Sequence, residues 1–175
     1  MLAVNVATLL KSAPGTARDL EIDDPRPVLG EDLTLVGPVT GTARLTRTQQ
    51  GVLARCTLQA TVEMECSRCL GPAPIQIEIS PTELFRPSVN VLTGTPLAPG
   101  DDEALQIDER HMLDLSEMAR QYFLLMLPLQ PVCRPECPGL CPACGADLNL
   151  SDCSCPTETP SGPFAALARL LDAAQ

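Results

Sequence analysis

Val52-Leu-Ala-Arg-Cys-Thr-Leu-Gln-Ala-Thr-Val-Glu-Met-Glu65 decides the fold. In an extended chain Val52, Ala54, Cys56, Leu58, Ala60, Val62 and Met64 share one face. Arg55, Thr57, Gln59, Thr61, Glu63 and Glu65 share the other, and only Leu53 breaks the alternation. A period of two sustained this long is a strand with one dry and one wet face, the arrangement of an antiparallel sheet. Upstream, Val39, Gly41, Ala43 and Leu45 alternate with Thr40, Thr42, Arg44 and Thr46. Gln49-Gln50-Gly51 reads as the intervening turn, with Gly51 expected to supply a positive φ. Downstream, Cys66-Ser-Arg-Cys69 and Leu70-Gly-Pro-Ala-Pro74 form the next turn, and Ile75, Ile77 and Ile79 mark the returning strand. Cys66 and Cys69 are thus expected at the tip of a hairpin.

Further out the signals change. Val4 to Leu10 fits a strand or one helical turn, and Ser12 to Gly30 reads as a Pro- and Gly-rich loop. Residues 88–110 read as an acidic Pro/Gly-rich linker containing Asp101-Asp102-Glu103. Asp114-Leu-Ser-Glu117 has the form of a capping box, with Leu115, Met118, Ala119, Tyr122, Leu125 and Met126 at helical spacing and Pro128 as the stop. A cysteine-dense segment runs from Cys133 to Cys155. After a second linker, Phe164, Leu167, Ala168 and Leu171 make the apolar stripe of a last helix opened by Pro163. The expected class is α+β, mainly antiparallel β: a small barrel or sandwich, then a helix, a zinc-knuckle segment and a short terminal helix. The expected division is a β domain over 1–87, the linker 88–110, and a helical and cysteine-rich region over 111–175.

Composition excludes several functions. The chain has 175 residues, a net charge of −10, one Tyr, three Phe, no Trp and one His. So acidic a chain does not hold a phosphate backbone by its overall field, and four aromatics do not build a base-stacking platform. There is no P-loop or GxGxxG, His111 reads as a solvated or capping residue, and the acidic cluster lacks calcium-loop spacing. Nothing in this inventory argues for an enzyme. The first residues make a poor signal peptide, and the longest apolar run, Tyr122 to Leu127, is too short to span a membrane. A cytoplasmic location is expected, where clustered cysteines serve as metal ligands or redox groups.

Nine cysteines are present. Cys56 lies on the apolar face of the long strand and reads as core. The other eight form four close pairs: Cys66 and Cys69, Cys133 and Cys137, Cys141 and Cys144, Cys153 and Cys155. Two cysteines flanking a tight turn present converging thiolates with backbone N–H groups aimed at the sulfurs. In Cys141-Pro-Ala-Cys144-Gly145 the proline pre-sets the turn and the glycine permits the φ it needs. Tetrahedral zinc takes four ligands, so eight cysteines suit two structural sites. Short loop closure pairs Cys141/Cys144 with Cys153/Cys155 and leaves Cys66/Cys69 for Cys133/Cys137. Interleaved pairings, or one site with spare cysteines, stay open at this point. A redox role for Cys66/Cys69 needs a helix after the motif, and Leu-Gly-Pro-Ala-Pro does not start one. Five arginines, Arg44, Arg55, Arg68, Arg86 and Arg134, fall on or beside the sheet and the cysteine turns, where they read first as scattered solubility charges and second as a local basic face.

In order, these residues resemble the YceD family, the large ribosomal RNA subunit accumulation proteins. The resemblance runs through Cys66-Ser-Arg-Cys69-Leu70, Leu113-Asp-Leu-Ser-Glu117, Leu127-Pro-Leu and Cys137-Pro-Gly-Leu-Cys-Pro-Ala-Cys-Gly-Ala-Asp-Leu-Asn149. It continues through Cys153-Ser-Cys155 and the terminal Phe164-to-Leu171 stretch. It implies a non-enzymatic factor of large-subunit ribosome assembly, with the paired cysteines as its functional residues. The acidity favours a basic ribosomal protein or assembly factor as partner. Direct RNA contact would use a local arginine patch with a shallow salt dependence. The rival readings are a zinc-ribbon nucleic-acid accessory protein and a thiol-based metal or redox protein.

Overall fold

The computed structural model describes residues 2–25, 27–97 and 105–155. Its elements, in chain order, are β1 (Ala3–Asn5), α1 (Ala7–Lys11), β2 (Ala17–Asp24), β3 (Val39–Arg47), β4 (Val52–Glu65), β5 (Pro72–Ile79), β6 (Thr82–Pro87), β7 (Gln106–Ile107), β8 (Met112–Asp114) and α2 (Ser116–Met126). The strands form one curled, mainly antiparallel sheet in the order β1-β8-β7-β6-β4-β3-β2, with β5 also on β4.

β4 organises the molecule. Along one edge it pairs with β3 from Thr40↔Gln59 to Arg47↔Val52. Its other edge is divided: residues 52–55 pair with β6, and residues 58–65 pair with β5. Beyond β3, the segment around Leu35 continues the first edge, with Val36 N–H on Thr61 O and Glu63 N–H on Thr34 O. A strand that serves three partners must curl, and the curl lets one face close over a core. Val52, Ala54, Cys56, Leu58, Ala60 and Val62 are all buried there, as the alternation requires, together with Leu45, Phe85, Ile107, Leu113 and Phe123.

Gly51 departs from expectation. Its φ is not positive. A Cβ at this position would lie 2.0 Å from Phe85 O, so the glycine is there because the β6 backbone passes against it. The turn itself is closed by Thr48, whose N–H and hydroxyl both donate to Gly51 O.

Two readings of the outer segments are corrected and a third is refined. Residues within Ser12 to Gly30 hold β2, an eight-residue strand paired along its length with β3. Its sequence hides it, because only Ile22 is buried and Asp19, Glu21, Asp23 and Asp24 line a sheet edge. Charge on an edge strand discourages pairing with other chains. The supposed linker 88–110 contains β7, and β8 lies within 111–175. Both belong to the same sheet as 1–87, with β8 on β1 and β7 on β6. Val4 to Leu10 supplies both of its alternatives, β1 and then α1.

The capping box is also altered. Asp114 Oδ1 accepts from Ser116 N–H at 2.8 Å, but Glu117 turns away to Arg120, with Oε1 and Oε2 at 2.6 and 2.8 Å. The helix stops as expected. Leu127, the residue before Pro128, takes ψ 132°, because a proline ring disfavours helical backbone in front of it. The buried stripe of α2 is Met118, Ala119 and Phe123. Leu125 and Met126, expected inward, are 77% and 57% exposed. Tyr122 is half-buried and donates to Glu83 Oε1 at 2.7 Å, tying α2 to β6. The predicted helix after Pro163 lies outside the described residues.

Candidate metal centres

The eight paired cysteines come together in two groups of four, Cys66/Cys69/Cys133/Cys137 and Cys141/Cys144/Cys153/Cys155. Within each group all sulfurs lie within 4.8 Å of one another. This is the grouping that short loop closure favours, and no interleaved pairing occurs. Four thiolates at about 2.3 Å from a zinc ion define a tetrahedron with edges of about 3.8 Å. Cys69 Sγ lies 3.8 Å from Cys133 Sγ, and Cys66 Sγ lies 4.0 Å from Cys137 Sγ. None of the nine cysteines is in a disulfide. Cys56 stands apart in the core, where burial pushes its thiol up to about 11 and leaves it inert.

The two Cys-x-x-Cys turns are built alike. Leu70 N–H donates to Cys66 O at 2.9 Å and Gly145 N–H to Cys141 O at 2.8 Å. Cys66 N–H reaches Gly71 O and Cys141 N–H reaches Ala146 O, each at 2.8 Å. The residue after the second cysteine is left-handed in both, Gly145 at φ 73° and Leu70 at φ 60°. In both turns backbone N–H groups converge on the first sulfur. The N–H groups of Cys69, Cys133 and Arg68 hold Cys66 down to about 6, and those of Cys144 and Ala143, with the Cys153 side chain, hold Cys141 to about 6. Desolvation and the neighbouring thiols push Cys133 up to about 12. The Cys144 side chain, with desolvation, does the same for Cys155. Some thiols in each group are ready anions and others resist ionising beside them. A cation at the centre removes that conflict.

The first group joins distant parts of the chain. Cys66 and Cys69 sit at the β4–β5 hairpin tip, and Cys133 and Cys137 follow α2. The backbone clamps them independently of the sulfurs. Ser67 donates twice to Pro131 O, from N–H at 2.8 Å and from its hydroxyl at 2.9 Å. Arg68 Nη1 donates to Pro135 O and Cys137 O. Gly139 (φ 80°) is required here, since its Cβ would meet Arg68 O at 2.9 Å. Cys66, Ala73 and Cys137 form a small buried cluster separate from the main core. The second group is local and more open, with Cys144 exposed and Cys153 and Cys155 half-buried.

Asn149 braces the first group and carries no signal of its own beyond closing the cysteine motif. Its Nδ2 donates to Cys137 Sγ at 3.4 Å and to Asp147 Oδ1 at 2.7 Å, and its Oδ1 accepts from Arg134 Nη2 at 2.6 Å. The Asn149 bond is the main reason the Cys137 thiol is lowered. The five arginines fall into separate sets, of which Arg44 and Arg55 share one face of the sheet. Arg44 pairs with Asp19 at 3.2 Å and lies opposite Arg55 across β3 and β4. Arg68 and Arg134 serve the first cysteine group, and Arg86 lies on β6. His111 holds φ 61° at the β7–β8 turn, where its N–H donates to Asp108 O and its carbonyl accepts from Val6 N–H.

The profile of the family described as Large ribosomal RNA subunit accumulation protein YceD matches residues 54–171, from near the start of β4 to beyond the last cysteine. The chain belongs to the YceD family. Among curated relatives, an uncharacterized protein of Mycobacterium tuberculosis (strain ATCC 25618 / H37Rv) is 37% identical over 105 residues, covering 60% of this chain and 49% of that one. An uncharacterized protein of Mycobacterium leprae (strain TN) is 25% identical over 146 residues, 82% of this chain and 61% of its own. The chloroplastic large ribosomal RNA subunit accumulation protein YCED homolog 1 of Zea mays is 28% identical over 142 residues, 67% of this chain and 48% of its own. The chain spans about half the length of most of the curated relatives it matches. No solved structure matches it. Among the described residues no helix is long and apolar enough to cross a membrane.

Proposed function

We propose that this protein is a non-enzymatic factor supporting accumulation of large-subunit ribosomal RNA and assembly of the large subunit, with two structural zinc ions in its cysteine groups. The observation that carries this is the convergence of eight cysteines into two tetrahedron-sized groups within the segment the family profile covers. Closed all-thiolate sites leave no position for water or substrate, so the metal holds the fold and performs no reaction. Zinc suits four thiolates at these spacings and has no redox chemistry of its own. The net charge of −10, with four carboxylates along the β2 edge, supports a basic ribosomal protein or assembly factor as a partner in the cytoplasm.

Metal analysis of freshly purified protein should find about two zinc ions per chain, with Cys56, the one thiol outside the two groups, reacting only once the chain is unfolded. Iron, or no metal, would refute the zinc assignment. A pull-down at mild salt should recover pre-ribosomal RNA together with large-subunit proteins. Cells carrying only a Cys66→Ser/Cys69→Ser variant should lose large-subunit RNA, and unchanged levels would sink the role given to the hairpin tip.

A further inference from the structure

The end of β4 far from the cysteines carries a second feature. Where β3 turns into β4, the chain meets α1 and residues 86–97 around an open cavity of about 380 Å³. Lys11, Arg47 and Arg86 line it, and among the described residues no Asp or Glu does. These are three of the twelve basic residues of an acidic chain, and they include its single lysine.

Arg47 is half-buried and meets no carboxylate among the described residues. Its Nε donates to Leu10 O at 3.2 Å, and its Nη1 donates to the carbonyls of Thr48 and Gly51. Three of its five N–H groups are thereby fixed, and Nη2 keeps two. By contrast Arg44 is answered by Asp19, and Arg120 by Glu117 and Asp32, while Arg68, which also donates to carbonyls, does so within the first cysteine group. A half-buried guanidinium tied only to carbonyl dipoles keeps its full charge and attracts an anion. Lys11 and Arg86 are exposed beside it and make no ion pair among the described residues. Asn90 spends its carbonyl on the N–H groups of Leu92 and Thr93, which leaves its amide N–H₂ as a further donor. Leu92, 79% exposed, adds an apolar rim of the kind a ribose or base covers.

We propose that this cavity is a phosphate-binding site and that its ligand is the backbone of a single RNA strand. Phosphate is the anion that matches the free Nη2 of a fixed guanidinium flanked by two further cations and amide donors. The choice of RNA over a small phosphate compound rests on the ribosomal role above, whereas the charge argument does not. The site reconciles a net charge of −10 with an RNA particle, because the positive potential is confined to one concave spot.

The test uses full-length, zinc-loaded protein and a labelled single-stranded RNA oligonucleotide, with binding followed by anisotropy from 50 to 300 mM salt. Three phosphate contacts give a slope of log K against log salt of about −2. Lys11→Gln and Arg86→Gln, both at exposed positions, should each weaken binding about eightfold at 50 mM salt and make the slope shallower by about 0.7. Arg55→Gln, exposed on β4 outside the cavity, should change neither. Inorganic phosphate and AMP, titrated alone, separate the sources. If they bind with the same dependence on Lys11 and Arg86 and RNA does not, the phosphate site stands and the RNA ligand is overturned. If nothing binds, or Arg55→Gln costs as much as Arg86→Gln, the site is overturned. It is also overturned if RNA binds only after Asp101→Asn, Asp102→Asn and Glu103→Gln, since the chain's own acids would then be the occupant. The binding assay reads the cavity, and large-subunit RNA levels in cells read the assembly role, so either can fail without the other.

Discussion

Asn149 shows how one side chain outside the ligand set can tune it. A thiolate that receives a hydrogen bond carries less charge for its neighbours to repel, and its orientation toward the metal is fixed. Asn149 Nδ2 does this for Cys137, while Arg134 and Asp147 hold the amide in place. Asn149→Ala should therefore weaken metal binding about 10- to 100-fold in chelator competition, with two ions still bound at saturation. The left-handed residues make a second comparison. Gly145 adopts φ 73° without strain, so Gly145→Ala should cost about 1 kcal/mol in urea unfolding of the zinc-loaded protein. Leu70 already bears that strain at φ 60°. Leu70→Gly should change stability by less than about 0.5 kcal/mol, because released strain and added chain entropy nearly offset. The cysteine positions were legible from sequence because ligand chemistry constrains spacing. Asn149 was not, because an amide aimed at sulfur leaves no periodic trace.

At the scale of elements, legibility followed length and burial. β4 announced itself, since fourteen residues of alternation have no competing reading. β7 and β8, two and three residues long, are too short to show a period, and β2 buries one residue in eight. The face of α2 was misjudged at its end for a related reason. Leu125 and Met126 satisfy the helical spacing, yet nothing among the described residues covers them, and Phe123 takes the core position. The crossing of β4 and β6 is the least forgiving contact. An added Cβ at Gly51 would collide with Phe85 O, a backbone atom with no rotamer to change. Gly51→Ala should therefore destabilise the fold by about 3 kcal/mol or more, read from the denaturation midpoint at unchanged metal content.

The whole molecule divides its stability between two clusters, the large apolar core and the small one around Cys66 and Cys137. The first needs no metal. Chelation should remove hydrogen-exchange protection from 131–155 while amides of 52–62 stay protected. Loss of protection throughout would mean that the sheet depends on the cysteine groups. The metals should also leave in two phases. The open group around Cys144 should empty first, and the group containing buried Cys66 and Cys137 should follow.

The span of the first cysteine group also sets a clock. Its sulfurs are contributed from positions 64 to 71 residues apart. At about 5–20 residues per second, Cys66 and Cys69 emerge from a translating ribosome roughly 3 to 14 seconds before their partners. During that interval the hairpin tip holds two of the first group's four cysteines. A chain that stalls before Cys137 never completes that group, whereas the second group lies wholly within a short later stretch. Closure of the first group thus records that synthesis has passed α2 and that the hairpin has found the segment beyond it.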